Sequence, residues 1–357
     1  MIHRFRAAAQ VDEPVRLPYT FPMRSRTEVA AKAFLLHTQN ADGGWGYAVG
    51  HASNVEATAA AALALAGDVA TGVPSPPALL APAPQASAPL APAPLAPAPQ
   101  APQLWGERGA DRGADRGAEQ AADRAADWLV AAQRRDGGWG LVADDPVSGW
   151  QTAWAVLALA RLGADEAVLR RGLAWLLAVQ LVRIEKAEDV RWMKDILGID
   201  PTLRGWPWLP GQAGWVEPTA LALLALAPWA AREDVRPRLD EGVRFLLDRR
   251  CGGGGWNVGN PMMFSRPLPA RAIPTAWALL ALARLAPDAV REEDVATLRR
   301  EMDGDRSTSA LAWGLLALRS LGQDDRGAAD LLMARQAADG GWDNSPYHTA
   351  VALRALG

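Results

Sequence analysis

The chain has 357 residues, half of them hydrophobic, and a formal net charge of −3; this suits one large repeat domain or two ordinary ones and gives no electrostatic reason to expect nucleic acid as a partner. Its one cysteine, Cys251, excludes an internal disulfide framework and any multi-cysteine zinc site. No run of about 18 apolar residues free of charge and proline occurs, so no membrane-spanning helix is predicted, and peripheral membrane contact stays open.

Residues 1–26 scatter charges among short apolar runs, unlike a secretory signal, and read as a leader on a cytoplasmic protein. Beyond them, strong helix formers recur with apolar residues three and four apart. The pattern predicts twelve helices, at about 27–38, 53–66, 118–133, 150–162, 165–180, 216–231, 236–250, 272–285, 292–301, 307–321, 325–337 and 346–356. They pair into six units, each an amphipathic helix, a turn and a more apolar helix. The apolar partners, such as Ala155-Val-Leu-Ala-Leu159 and Leu221-Ala-Leu-Leu-Ala-Leu226, are uncharged on every side and belong inside. Charged partners, such as Asp240-Glu-Gly-Val-Arg244, belong outside. The predicted fold is all-α, with two concentric helical layers. A Pro/Ala-rich, low-complexity insertion at about 67–117 and a second, structured insertion at about 181–214 interrupt the domain that spans 27–357. The second stands where a repeat loop should be, as a lid or cavity wall would.

That repeat loop occurs four times: Gln39-Asn-Ala-Asp-Gly-Gly-Trp45, Gln133-Arg-Arg-Asp-Gly-Gly-Trp139, Arg250-Cys-Gly-Gly-Gly-Gly-Trp256 and Gln336-Ala-Ala-Asp-Gly-Gly-Trp342. Glycine breaks the helix by accepting positive φ, and the indole re-anchors the chain. Gln39, Trp45, Gln133, Trp139, Trp256, Gln336 and Trp342 are therefore read as inter-helix staples without chemistry. A second signature opens the inner helices: Val55-Glu-Ala-Thr-Ala59, Trp150-Gln-Thr-Ala-Trp154, Val216-Glu-Pro-Thr-Ala220, Ile273-Pro-Thr-Ala-Trp277 and Tyr347-His-Thr-Ala350. The copy Ser309-Ala-Leu-Ala-Trp313 has lost the threonine.

These loops resemble the Gln-x-x-x-Gly-x-Trp motifs of squalene cyclases, and Gln151-Thr-Ala-Trp-Ala155 resembles the segment that follows them there. The chain is thus similar to the terpenoid cyclase and protein prenyltransferase superfamily over about 27–66 and 118–356. The resemblance implies an (α/α)6 toroid, six parallel inner helices ringed by six outer ones, with a cavity at one end. A squalene cyclase carries two toroids, and this chain has helices for one.

In that family the proton donor lies in an Asp-x-Asp-Asp-Thr-Ala run opening an inner helix. The nearest matches are Asn54-Val-Glu-Ala-Thr-Ala59 and Trp215-Val-Glu-Pro-Thr-Ala220, so Glu56 and Glu217 stand at the donor position without its carboxylate neighbours. Each is read either as a cavity acid or as a group complementing its helix N-terminus. Burial would raise its pKa and the helix termini would lower it. Protein prenyltransferases hold zinc with an Asp-x-Cys pair and a later His. Tyr347-His348-Thr349 matches the latter, but Ile273 and Thr275 fall on the former, so no metal is expected. Cys251 also lacks a thioester-type run, and no cofactor motif is visible.

Two readings remain. One is an isoprenoid enzyme, cyclase-like, with Glu56 or Glu217 as acid and Trp150, Gln151, Trp206, Trp208, Trp215, Tyr347 and His348 around an apolar ligand, where aromatic faces stabilise cations. The other is a non-catalytic toroid that binds an apolar molecule or a protein partner.

Overall fold

In a computed structural model, residues 23–66, 112–182, 184 and 186–357 are described. The expected leader, up to residue 22, and the Pro/Ala-rich insertion, from 67 to 111, lie outside them. The chain forms thirteen α-helices among the described residues: α1 (Met23–Thr38), α2 (Val55–Leu65), α3 (Arg112–Ala131), α4 (Gln151–Arg161), α5 (Glu166–Ala178), α6 (Ala187–Leu197), α7 (Val216–Leu226), α8 (Arg236–Asp248), α9 (Ala272–Leu285), α10 (Glu292–Asp305), α11 (Thr308–Ser320), α12 (Arg326–Ala334) and α13 (Pro346–Leu356). Twelve of them fall on the twelve predicted segments. The thirteenth, α6, lies in the 181–214 insertion.

Boundaries moved where local chemistry overrode the pattern. Helix α7 stops at Leu226 rather than about 231, because Pro228 has no amide hydrogen to continue it and the chain tightens into a single 3-10 turn, Ala227–Trp229. Helix α3 begins at Arg112, so the end of the charged low-complexity run is helical. A two-residue hairpin, Met262–Met263 with Arg266–Pro267, was not foreseen. Its turn puts Phe264 at φ 48° and Ser265 at φ 60°, a conformation that normally calls for Asn or Gly and gave no sequence signal here.

The apolar helices α2, α4, α7, α9, α11 and α13 each touch the next, and α13 closes onto α2. Helices α1, α3, α5, α8, α10 and α12 pack outside this ring. The observed fold is the all-α double-layered toroid.

The two layers are clamped by tryptophan. In the first loop the Trp45 amide donates to Thr58 Oγ1 of an inner helix at 2.9 Å, while its indole donates to the Leu35 carbonyl of the outer helix at 2.9 Å. Trp139 repeats this with Thr152 and Leu129, Trp256 with Thr275 and Leu246, and Trp342 with Thr349 and Leu332. A fifth clamp was hidden in the insertion: Trp206 donates its amide to Thr219 and its indole to Leu176. Sequence grouped Trp206 with the cavity wall. It is instead fully buried between the layers, and the insertion has stretched its indole contact from 10 to 30 residues of separation. Each buried indole removes roughly 200 Å2 of apolar surface from water, an upper bound of about 5 kcal/mol. Where no such Trp exists, between α10 and α11, the threonine position is Leu311. With no amide to receive, a buried hydroxyl there would lack a partner.

The glutamines join successive repeats. Gln39 Nε2 donates to Gly43 and to the Ala121 carbonyl of the next outer helix, and Gln133 does the same to Gly137 and Val168. Gln336 donates to Gly340 and to Thr27 of α1 at 2.9 Å, which closes the ring. In the fourth loop Arg250 takes the same role, reaching the Ala289 carbonyl at 2.6 Å and Asp294 at 3.2 Å. Glycine is required at Gly340, where φ is 91° and a Cβ would sit 2.3 Å from the Ala30 carbonyl oxygen.

The Thr152→Val substitution leaves the Trp139 amide buried without an acceptor and is expected to cost about 1–3 kcal/mol. Leu311→Thr, which adds a hydroxyl with no tryptophan above it, is expected to destabilise as well. Denaturant unfolding of both variants checks the pair; a stabilised Leu311→Thr would contradict this account of the clamp.

Candidate functional site

The inner helices are in register, so each residue can be placed by its distance from the threonine position. Positions −2, +1, +2 and +5 share one helical face. At −2 stand Glu56, Trp150, Glu217, Ile273, Ser309 and Tyr347. At +1 every helix carries alanine. At +2 stand Ala60, Trp154, Leu221, Trp277, Trp313 and Val351.

Contacts across the ring show that this face points to its axis. Trp154 of α4 meets Trp277 of α9 at 5.7 Å between ring centroids, Trp313 of α11 at 6.0 Å and Tyr347 of α13 at 6.2 Å, while Trp277 and Trp313 lie 4.1 Å apart. The three tryptophans are buried and fill the middle of the ring. The cavity that the resemblance implies is therefore not an open tube. The alanines at +1 bring the helices close enough for the tryptophans to meet, and the ring is plugged at that level. Apart from Glu56, the residues at −2 are half-buried while the layers beneath them are buried, so the N-terminal ends of the inner helices form a mouth over an aromatic floor.

Glu56 lies in this mouth, only 7% exposed. The hydroxyls of Tyr47 and Tyr347 both donate to its carboxylate. Tyr47 comes from the first loop and Tyr347 from the last helix, their rings 6.1 Å apart edge to face. The pair meets only because the ring closes, along a seam where Val49 donates to the Asn344 carbonyl and the Ser345 hydroxyl to the Tyr47 carbonyl. Asn54, not Glu56, caps α2, accepting from the Ala57 amide at 2.8 Å. Burial pushes the Glu56 pKa up to about 7, against the two tyrosine hydrogen bonds that lower it. Burial also raises Glu217 to about 7, helped by the charge of Glu56. Burial is the largest influence on both carboxyls.

The insertion completes the mouth. Trp208 sets its ring edge-on to Trp150 at 4.7 Å, and the Trp150 amide donates to the Trp208 carbonyl. Trp215 pairs with the Trp206 backbone and packs on Gly259. A cleft of about 490 Å3 opens beside it, walled by Leu181, Met193, Leu197 and Ile199 of the insertion and by Trp215, Phe245 and Arg249. This volume is in the range of small-molecule sites. Arg249 in its wall stacks on Phe245 and is paired with Asp248.

The remaining sequence candidates fall elsewhere. Gln151 is buried beside the mouth, its carboxamide against Gly149. His348 is turned toward Asp343, with Nδ1 2.9 Å from the carboxylate. No group of three or more His, Cys, Asp or Glu side chains that could hold a metal occurs among the described residues. Sequence reasoning missed Tyr47, Trp154, Trp277 and Trp313. The tryptophans had a usable signal, one helical turn beyond Trp150, Ile273 and Ser309. Tyr47 had none.

No family model matches the chain, and no characterised sequence resembles it significantly. Its fold is similar to solved structures: a protein from Actinoplanes (20% identity, TM-score 0.54, covering 93% of this chain and 98% of that one) and the type II terpene cyclase MstE from Scytonema (18%, 0.56, 94% and 97%). A variant of the latter in complex with its substrate, geranylgeranyl dihydroxybenzoate, matches at 17% identity and TM-score 0.53, over 94% of this chain and 96% of that one. The fold is terpene cyclase-like. No described helix is long and apolar enough to cross a membrane.

The raised pKa of Glu56 makes stability depend on pH. Below the ordinary value of 4.5 both folded and unfolded chains hold the proton and the group costs nothing. As pH rises from there to about 7 the unfolded chain ionises first and stability falls; above that the penalty is constant. Its size is on the order of 3 kcal/mol. Glu56→Gln is expected to remove the Glu56 share of the loss between pH 5 and 8 in denaturant unfolding and to leave the part that Glu217 contributes through its own burial; an unchanged loss would show that Glu56 is not the buried acid.

Proposed function

We propose that the protein binds an apolar, isoprenoid-type ligand at the N-terminal mouth of the inner ring, and that Glu56 transfers a proton in a cyclase-like reaction. The observation that carries this is the Glu56 carboxyl, buried, hydrogen-bonded by Tyr47 and Tyr347, and set over an aromatic floor. A group that titrates near pH 7 can give and take a proton under ordinary conditions. The faces of Trp154, Trp277, Trp313 and Tyr347 offer a developing cation its quadrupolar attraction. The indole nitrogen of Trp154 is buried without a hydrogen-bond partner, a donor for an oxygen on the ligand. The cleft beside Trp215 gives an apolar chain somewhere to lie outside the plugged ring. The terpene cyclase-like fold, and the isoprenoid bound by the Scytonema enzyme, support the same ligand class.

An acid of pKa about 7, raised by burial, is weaker than an ordinary carboxylic acid, and Asn54 and Ala57 stand where family members place further carboxylates. That favours an acceptor more basic than a plain alkene, such as an epoxide oxygen. Glu217 is the second proton site of the pair. The same missing neighbours, together with the plugged ring, favour a second reading in which the mouth binds its ligand and performs no reaction.

Incubating the chain with squalene, an epoxide of squalene and polyprenyl alcohols, then analysing products by mass spectrometry, separates the two. Cyclised product that falls about 100-fold or more in Glu56→Gln is expected. Product formed equally by Glu56→Gln and the Glu56→Gln, Glu217→Gln double variant removes the proposed acid. Saturable binding without product establishes the second reading.

A further inference from the structure

The ring has a second mouth, at the C-terminal ends of the inner helices. The axis-facing position +5 carries leucine in five helices, Leu63, Leu157, Leu224, Leu280 and Leu316, and arginine in the sixth, Arg354. Leu157, Leu280, Leu316 and Arg354 are half-buried among inner-helix neighbours that are mostly fully buried, so solvent reaches this collar from below the tryptophan plug. Arg354 makes no hydrogen bond or ion pair among the described residues. Arg161 of α4, one turn nearer the C-terminal end on its own axis-facing stripe, lies close enough to add its charge to the loss of water around Arg354. Together burial and that charge lower the Arg354 pKa to about 10. A cation in the last turn of a helix complements its dipole, but only by roughly 0.3–1 kcal/mol, and any exposed face would serve. Here the guanidinium occupies a position that leucine fills in every other repeat, beside another cation, with no acceptor. A guanidinium that has lost part of its water is stabilised when an oxyanion meets its fork of donors.

We propose that this mouth binds an organic anion, a carboxylate or phosphate with an apolar flank, held by Arg354 and seated on the leucine collar. The tryptophan layer lies about 4.5 Å inside the collar, three residues along the helix at 1.5 Å each. The anion therefore sits shallowly, with its apolar part on the leucines and not inside the ring. The site is at the opposite end from Glu56 and does not depend on the reading of that mouth.

Calorimetric titration at fixed ionic strength tests it, using octanoate, octyl phosphate below its micelle concentration, and inorganic phosphate. Octanoate or octyl phosphate is expected to bind the wild-type chain more tightly than inorganic phosphate does. Arg354→Met should weaken that binding by about tenfold or more, Arg354→Lys should retain it within a few-fold, and Glu56→Gln should bind as the wild type does. No binding by the wild type, or equal binding by Arg354→Met with an unchanged unfolding midpoint, overturns the site. Inorganic phosphate binding as tightly as octanoate overturns the apolar flank.

Discussion

The toroid depends on one bifunctional side chain. In each clamp a tryptophan gives its backbone amide to a threonine of the inner ring and its indole hydrogen to a carbonyl of the outer ring. An amide left free at a helix-breaking loop and an indole buried in a core both need acceptors, and the clamp meets both needs with one residue. It also fixes the distance and rotation between layers. Because rotation is fixed the same way in successive repeats, the same helical positions face the axis throughout, and the plug, the two mouths and their opposite charges follow from that.

The plug and the carboxyl pair set each other's properties. Tryptophans at +2 seal the ring, so the layer above them loses water from below as well as from the sides. Glu56, the most enclosed residue of that layer, carries the penalty as a raised pKa, and Glu217 is raised by its own burial and by the charge of Glu56. The tyrosines that bond Glu56 stabilise its ionised form without cancelling the burial. The result is an acid–base group near neutrality in an aromatic setting, reached without the run of carboxylates found in squalene cyclases. The insertion adds Trp208 at the rim and, with Trp215 at the start of α7, a cleft beside it.

Closure is where the molecule differs most from a stack of repeats. An open array needs only neighbour contacts, whereas this ring brings its first and last units together through Gln336 on Thr27 and Ser345 on Tyr47. Glu56 and Tyr347 meet at that seam. Its loop holds Asp343 and Asn344 consecutively at positive φ, a conformation that Asn and Asp tolerate better than other residues do. Integrity of the seam and integrity of the site are thus the same property.

The amino-acid sequence alone determined the twelve helices of the two layers, their pairing, the layer each belongs to and the glycine-tryptophan loops, because all of these are set by spacings of a few residues. The threonine lost at Leu311 was visible too, though its meaning required seeing that no tryptophan stands above it. Only the tertiary structure decided the rest. Trp206 keeps the 13-residue spacing to its threonine that Trp45 and Trp139 have, but an insertion had moved it away from its outer helix and out of the repeat loop, so its role as a clamp showed only in the fold. Tyr47, on a loop with no signature, became a partner of Glu56 by ring closure. The raised pKa of Glu56 turned on how completely the surrounding side chains exclude water. Such effects join residues hundreds of positions apart, or sum over a whole cross-section of the ring, and no local pattern in the chain encodes them.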